Sequence, residues 1–196
     1  MVAYRKINIA VACNPVHIAK KTRRKAVVGI GIDVSHSMYG EKLEQSIECY
    51  GDCLDNFKPK DQVALFTYGS EVSKLHDVMP VQKINKAKDK ENIRKSSGGC
   101  TAFYDSLILS VNSLGTKLRN KDFRNVTKDA HFQVIMISDG EDNRSKATLQ
   151  EAANLVANPG VPNFHLVVVG IQMEQSTRET LKGVLCAKTR SRIRNE

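Results

Sequence analysis

The sequence predicts an α/β fold: a doubly wound, mostly parallel sheet with one antiparallel edge strand and helices on both faces. Short, nearly continuous apolar runs recur along the chain, as is typical of buried parallel strands. Segments with apolar residues at helical spacing separate these runs, and strands that alternate with helices imply right-handed crossovers. The 196 residues, 41% hydrophobic and 26% charged, fit one globular domain.

The N-terminal part of the chain predicts two strands and a helix. Lys6–Ala12 alternates in polarity and is rich in β-forming residues, which favours a strand. Ala26–Asp33 is almost continuously apolar, as expected of a strand buried on both faces. Glu41–Phe57 carries apolar residues at helical spacing, and Pro59 ends that pattern.

The next segment predicts a hairpin followed by a surface helix. Gln62–Tyr68 is another apolar strand, and Gly69 and Ser70 then supply turn chemistry. Glu71–His76 is polar and short, so we expect it to pair back as the antiparallel edge strand. Val81–Arg94 is polar and rich in lysine, which indicates a helix on the surface.

The C-terminal part continues the alternation of helices and strands. Thr101–Leu118 has an apolar stripe on one helical face, which predicts a helix packed on the sheet. Four further elements are predicted: a strand at Phe132–Ser138, a helix at Thr148–Ala157, a strand at Phe164–Gly170 and a closing helix at Ser176–Cys186. Ser176 or Thr177 is the predicted N-cap of the closing helix.

Oxygen-bearing side chains follow the predicted strands where ligands bind in such sheets, at the carboxyl ends. Asp33, Ser35 and Ser37 alternate after the second strand, Thr101 precedes a helix, and Asp139 follows a later strand. Five hard oxygen donors suit Mg²⁺, Mn²⁺ or Ca²⁺ and not Zn²⁺. Because the hydroxyls are neutral, the cation would remain electron-poor and accept a carboxylate from a partner. Cytosolic availability favours Mg²⁺.

Four segments carry a resemblance to a known family. They are the DxSxS pattern at 33–37, Lys58–Leu65 (KPKDQVAL), Gly98–Asp105 (GGCTAFYD) and Val134–Asn143 (VIMISDGEDN). In this order they resemble the von Willebrand factor type A (vWA) domain, of the intracellular type, over roughly Lys6–Ala187. The resemblance implies a Rossmann-like fold and an intact metal-ion-dependent adhesion site (MIDAS).

The resemblance also implies a role for each ligand residue. Ser35 and Ser37 would touch the metal directly, and Asp33 and Asp139 would lie close to it, partly through water. Thr101 would bind directly or through water, depending on the state of the domain. A Glu or Asp of the bound protein would complete the metal shell.

The domain layout follows from the same resemblance. A single vWA-like domain would span 1–196, with an extra N-terminal strand at about 5–13 and a core at about 26–187. A basic tail would follow at 188–196. In some relatives ligation is coupled to movement of the last helix, which here is Ser176–Ala187.

Four residues stand close to the predicted ligands in the sequence but are not themselves predicted to bind the metal. His36 stands where the family most often has Gly, and Cys100 where a small residue without a thiol is common. His36 either contacts a partner or points to solvent, whereas we expect Cys100 to serve in packing. Glu141 and Asp142 closely follow the last predicted ligand, and we interpret them as an acidic rim that tunes which partners approach.

The cysteines and the apolar segments predict the cellular compartment of the protein. Five cysteines are an odd count without a CxxC pair, so we expect reduced thiols in a cytoplasmic protein, with a nuclear location as the alternative. The apolar run Ala26–Ile32 is far shorter than the ~20 residues that span a bilayer. The N-terminus has no signal-peptide pattern, so we expect it to be part of the fold.

A different function would use the basic residues. The net charge is +9, with clusters at Lys20–Lys25 (KKTRRK) and Lys188–Arg194 (KTRSRIR), and these suit nucleic acid or another anionic surface. Alternatively, neither cluster binds a ligand, and the first is a solvated turn while the second is a frayed C-terminal tail. Few aromatic residues stand among the basic ones, so no stacking platform for single strands is visible.

An enzymatic function lacks its motifs. Gly29 and Gly31 begin a pattern similar to a dinucleotide fingerprint, but Val34 stands where the third glycine is needed. The sequence has neither a phosphate-binding GxxxxGK[ST] motif nor a nucleophile elbow, and Ser35 replaces the second acid of an aspartyl-nucleophile site. The five histidines are scattered and pair no nucleophile with a base. We therefore predict that the protein is not an enzyme.

Overall fold

The chain folds around one mixed sheet. The structure, a computed structural model, describes residues 8–12, 25–96, 98–119, 130–140 and 142–181. Six strands in the order β1-β6-β5-β2-β3-β4 form the sheet within these residues, parallel at every pair except the antiparallel β3 and β4. The strands are β1 (Asn8–Ala12), β2 (Ala26–Asp33), β3 (Gln62–Tyr68), β4 (Val72–Pro80), β5 (His131–Ser138) and β6 (Phe164–Gly170). This arrangement confirms the predicted fold class.

Helices cover both faces of the sheet, as predicted. They are α1 (Glu41–Asn56), α2 (Lys86–Lys95), α3 (Phe103–Arg119), α4 (Leu149–Ala157) and a further helix that is described over 175–181. One apolar cluster packs α1 and α2 against one face through residues such as Ile47 and Ile93. The other packs α3 and α4 against the opposite face through residues such as Leu107 and Val156. The sheet is therefore buried on both sides, which explains its nearly continuous apolar strands.

Two boundaries around β4 differ from the predicted ones. β4 continues to Pro80 and not only to His76, because its pairing with β3 extends until Pro80 lies opposite Gln62. The pairing register shifts twice along the way, so the alternation that marks a strand is blurred. The following helix begins at Lys86 and not at Val81, since the Asn85 side chain accepts a hydrogen bond from the Lys88 amide and caps it there.

The starts of the last two helices also differ from the predicted ones. Thr148 precedes α4 as its N-cap and forms a capping box with Glu151, so it is not the first helical residue. The helix described over 175–181 begins before Ser176 and Thr177, so neither caps it. Its predicted end at Cys186 lies outside the described residues.

Several predictions fall on parts of the chain that the structure does not describe. These include the basic tail, most of Lys20–Lys25, and two of the five cysteines. The other three cysteines are unbridged, in agreement with reduced thiols: Cys49 and Cys53 are buried in α1 and Cys100 is exposed. None of the helices in the described ranges combines the length and the apolar character needed to cross a membrane.

A buried polar contact joins α1, α2 and β4. Tyr50 donates a hydrogen bond to the Asp89 carboxylate at 2.6 Å. His76 Nε2 lies 3.4 Å from the same carboxylate oxygen, a separation typical of an ion pair rather than of a well-aligned hydrogen bond. Burial favours the neutral imidazole, but the contacts with Asp89 and with the Asp77 carbonyl outweigh it and raise the pKa of His76.

We expect this contact to make stability depend on pH. Because the pKa of His76 is raised on folding, its contribution is complete below the unfolded value of about 6.5 and is lost as the pH rises through the folded value. His76→Gln should therefore lower the Tm more at pH 6 than at pH 9, as measured by thermal unfolding.

His165 offers a control of opposite sign. Burial and the neighbouring His131 lower the pKa of His165, so its contribution is complete above the unfolded value and is lost as the pH falls. His165→Gln should therefore flatten the acid side of the Tm profile. An equal effect of His76→Gln at both pH values would contradict the assigned ion pair.

Candidate metal centre

Three loops meet at the carboxyl ends of the central strands. In the loop after β2, the Val34 carbonyl accepts a hydrogen bond from the Gly98 amide at 2.9 Å. In the same loop, the His36 amide donates to the Gly99 carbonyl at 3.0 Å. The Asn143 amide, in the loop after β5, donates to the Thr101 carbonyl at 3.0 Å. These backbone contacts bring together the segments that carry all five predicted metal ligands.

Asp33 is the innermost residue of the site. It is the last residue of β2, and none of its surface is exposed to solvent (0%). One oxygen accepts a hydrogen bond from the Ser35 amide at 2.9 Å, and the other accepts one from the Ser138 hydroxyl at 2.7 Å. Burial raises the pKa of Asp33, since the two serines only partly compensate for lost solvation and the charge of Asp139 adds to the shift. The site therefore contains a carboxylate whose negative charge is poorly solvated.

A chain of oxygen atoms runs beside this carboxylate. The Ser35 and Ser37 hydroxyl oxygens are 3.1 Å apart, and Ser37 donates to Asp139 Oδ1 at 3.0 Å. The other oxygen of Asp139 accepts a hydrogen bond from Lys42 Nζ at 2.6 Å. Two carboxylates and two hydroxyls thus lie close together. The loop does not stay extended as the alternate spacing assumed, because Ser37 lies in a 3-10 turn over His36–Met38.

Thr101 is held by its backbone. Its amide donates to the Asn143 side chain at 2.8 Å, and its carbonyl accepts from the Asn143 amide and from the Arg144 amide. Thr101 is 4% exposed and is therefore a buried residue of the loop cluster. The amide side chain of Asn143 therefore fixes Thr101 relative to the loop that carries Asp139.

Close backbone approach shapes the loop before Thr101. Gly98 and Gly99 have φ values of 132° and 87°, which other residues rarely adopt. A Cβ at Gly99 would lie 2.0 Å from Ser70 Oγ, and a Cβ at Gly69 would lie 2.2 Å from the Gly98 carbonyl oxygen. The turn after β3 and the loop of Thr101 thus fit only because these glycines have no side chain.

The rim residues have contacts that the sequence did not indicate. The exposed His36 ring accepts a hydrogen bond from the Gly99 amide at 2.8 Å through Nδ1, so it joins two loops while it faces solvent. The Asp142 carboxylate accepts from the Tyr104 amide and from the Ser145 hydroxyl and so caps the start of α3. A rim role for either residue stays a prediction, and Glu141 lies outside the described residues.

The packing role predicted for Cys100 was wrong. Cys100 is exposed, because the backbone turn at the two preceding glycines carries it outward, and its amide donates to Ser70 Oγ at 3.0 Å. The thiol therefore faces solvent next to the loop of Thr101.

Three residues of the site were missed by the sequence reasoning. Ser138 is the last residue of an apolar strand, and its polarity there was a usable signal. Asn143 stands within the quoted VIMISDGEDN segment but was given no role. The sequence does not indicate a role for Lys42, because a lysine in the first turn of a helix is common. Asp139, which Lys42 contacts, lies 97 positions away in the chain.

The donor set determines the kind of cation that the residues could hold. No three His, Cys, Asp or Glu side chains in the described part of the chain converge as a metal-binding group. A cation among Asp33, Ser35, Ser37, Thr101 and Asp139 would therefore depend on hydroxyl oxygens as well as carboxylates. Such hard oxygen donors fit Mg²⁺, Mn²⁺ or Ca²⁺, whereas zinc sites prefer nitrogen and sulfur.

We expect Gly69→Ala to disturb the site more than the core. The new methyl group would press on the Gly98 carbonyl and push the loop of Thr101 outward. Overpacking of this kind costs about 1–3 kcal/mol in unfolding free energy. Mg²⁺ affinity, measured by calorimetry, should fall about ten-fold, in line with the loss of a residue that supports a metal site.

Gly115→Ala is the matched control. A Cβ at Gly115 would meet nothing within 4 Å, and this residue lies inside α3, where alanine favours the helix by up to about 1 kcal/mol. The control should keep its Mg²⁺ affinity and gain stability. Unchanged affinity in Gly69→Ala would show that the close approach does not position the Thr101 loop.

Comparison with known proteins places the fold in a family. The family model described as von Willebrand factor type A domain matches residues 28–195. Inter-alpha-trypsin inhibitor heavy chain H4 of Homo sapiens is 25% identical over 158 residues, which cover 79% of this chain and 16% of that protein. Heavy chain H2 of Mus musculus is 28% identical over 143 residues, which cover 71% of this chain and 15% of that protein. The chain thus spans a small part of either relative.

Solved structures share the architecture at low sequence identity. A von Willebrand factor type A protein from Catenulispora acidiphila has a TM-score of 0.60 at 18% identity, covering 83% of this chain and 37% of that one. BatB from Bacteroides thetaiotaomicron has a TM-score of 0.58 at 16% identity, covering 85% and 87%. Manganese-loaded TRAP protein from Plasmodium vivax has a TM-score of 0.52 at 18% identity, covering 82% and 63%. Because the family model matches residues 28–195, which are most of the chain, the chain belongs to the von Willebrand factor type A domain family.

Proposed function

We propose that this protein is a non-enzymatic protein-binding module whose activity depends on a divalent cation, Mg²⁺, at an intact MIDAS. The proposed ligands are Asp33, Ser35, Ser37, Thr101 and Asp139, and the bound cation would recruit an Asp or Glu carboxylate of a partner protein. One observation carries the proposal: the hydrogen-bonded chain from Ser35 through Ser37 to Asp139, next to the buried Asp33 carboxylate.

The electrostatics of the donor set support this proposal. Two carboxylates within one group repel each other, and burial leaves the charge on Asp33 poorly solvated. A divalent cation would relieve both effects, which gives binding its driving force. When bound, it would act as a Lewis acid that attracts one further anionic oxygen. Because the hydroxyls contribute no charge, a partner carboxylate suits that position better than a neutral group.

The surface around Ser37 suits a protein partner. Tyr39 is 51% exposed, and its ring packs edge-on against the His36 ring at a centroid distance of 5.3 Å. Exposed aromatic side chains of this kind are enriched in protein interfaces. The manganese-loaded state of the similar TRAP protein supports a divalent cation in this family. Mg²⁺ is the proposed ion because it is abundant in the cytoplasm, and the cytoplasmic or nuclear location itself stays a prediction from the cysteines.

Asp33→Asn should abolish Mg²⁺ binding without unfolding the protein. We expect the affinity in a calorimetric titration to fall well over ten-fold, since the variant keeps the shape of the side chain but not its charge. In EDTA the Tm should not fall, because burial already disfavours that charge.

The matched control is Asp55→Asn. Asp55 pairs with Lys86 on the surface, and its substitution removes the same charge away from the site. This control should titrate like the parent chain. If Asp33→Asn kept the affinity of the parent for Mg²⁺, the assigned ligand set would be refuted.

Partner binding should require both the cation and an acidic residue. Peptides selected on the chain from a random display library in Mg²⁺ should share an Asp or Glu, and its change to Asn or Gln should end binding. EDTA should release these peptides. Peptides that bind equally well in EDTA would argue against cation-mediated recruitment.

The same preparation distinguishes the alternative based on the basic clusters. Binding of duplex DNA through the lysine and arginine clusters would persist in EDTA and would weaken steeply as salt is raised. That result, together with a lack of cation-dependent peptides, would replace the proposed function with binding to nucleic acid or another anionic surface.

A further inference from the structure

Lys42 makes a contact at the site that the ligand set does not explain. It lies in the first turn of α1, and its ammonium group is 2.6 Å from Asp139 Oδ2. The Asp139 side chain is only 4% exposed, whereas that of Lys42 is 30% exposed. A positive charge that reaches in from the rim thus already pairs with one of the two carboxylates.

The position of Lys42 in its helix is unfavourable for a cation by itself. The N-terminal end of a helix carries a partial positive charge, which favours acidic side chains such as Glu41 and Glu44 in this turn. Asp139 supplies the compensating negative charge, so the ion pair belongs to the site rather than to the helix.

A divalent cation and the Lys42 ammonium would compete for the same carboxylate. The second oxygen of Asp139 already accepts from Ser37, so the carboxylate links the hydroxyl chain to the lysine. A cation held by Ser37 and Asp139 would stand within a few ångströms of the ammonium group, where like charges repel strongly. The lysine stem is flexible and partly exposed, so the ammonium can move into solvent without a shift of α1.

We infer that Lys42 is an internal competitor for the cation, in that its ammonium group holds the Asp139 carboxylate until a divalent ion displaces it. The inference rests on the proposed function, since it concerns the same site. Lys42 thereby stabilises the protein without metal and raises the cation concentration needed to activate the site.

Calorimetric Mg²⁺ titrations of the 196-residue chain test the inference. Lys42→Met removes the charge and keeps the length of the stem, so it should tighten Mg²⁺ binding about ten-fold, which corresponds to one charge contact of about 1.4 kcal/mol. Lys42→Arg keeps the charge and should bind like the parent. Lys86→Met, which breaks a surface pair with Asp55, is the matched control and should also bind like the parent.

The outcomes separate this inference from the proposed function. Binding by Lys42→Met alone, with none by the parent, would support the competition strongly. Equal or weaker binding by Lys42→Met while the parent binds would overturn the role of Lys42 and leave the metal site intact. A lack of binding by both proteins would overturn the inference together with the Mg²⁺ site.

A measurement on the parent chain keeps the inference testable if Lys42→Met folds poorly. The ammonium group of Lys42 should give a slowly exchanging NMR signal in EDTA, which saturating Mg²⁺ abolishes. The Ser35 amide signal reports whether the cation has bound, because that amide donates to Asp33. A persistent ammonium signal while the Ser35 signal shifts would overturn the competition.

Discussion

A carboxylate held away from water at the end of the central strand is the constraint on which the rest of the site depends. Asp33 has its two oxygens bonded to the Ser35 amide and the Ser138 hydroxyl, from two different strand ends. Because a buried charge must be paired or hydrogen-bonded, these contacts tie the loop after β2 to the end of β5. The architecture places a buried carboxylate at the carboxyl ends of the central strands, and the loops gather around it.

The neighbouring loops are arranged to reach this group closely. Gly69 allows the turn after β3 to touch the Gly98 carbonyl, and Asn143 joins Thr101 to the loop after β5. His36 adds a side-chain bond to Gly99 where the family most often has no side chain at all. In the contacts of Thr101 and Gly99, a backbone amide donates to a side chain of a neighbouring loop, so each contact fixes one loop relative to another. The residues predicted as ligands are therefore held by contacts between the loops.

Much of this arrangement was predictable because the strands are buried on both faces. Continuous apolar runs defined β2, β3 and β6 to the residue. The ligand set drawn from polar residues near the strand ends stays a prediction. Local sequence did not predict the end of β4, where irregular pairing blurs the alternation. It also could not predict the pairing of Lys42 with Asp139, since that depends on how a helix start faces a strand end 97 residues away. Local patterns specify elements, whereas contacts between distant loops depend on tertiary packing.

The bond between Ser138 and Asp33 joins residues that are 105 positions apart in the chain. During synthesis the first ligand segment therefore leaves the ribosome well before the strand that completes its surroundings, and non-local contacts of this kind form slowly. Until β5 has paired with β2, Asp33 lacks its hydrogen bond from Ser138 and lies on a strand that can pair only with β3. Assembly of the loop cluster thus coincides with closure of the central sheet, and a nascent or truncated chain that lacks β5 would carry the DxSxS motif without the loop that completes its surroundings.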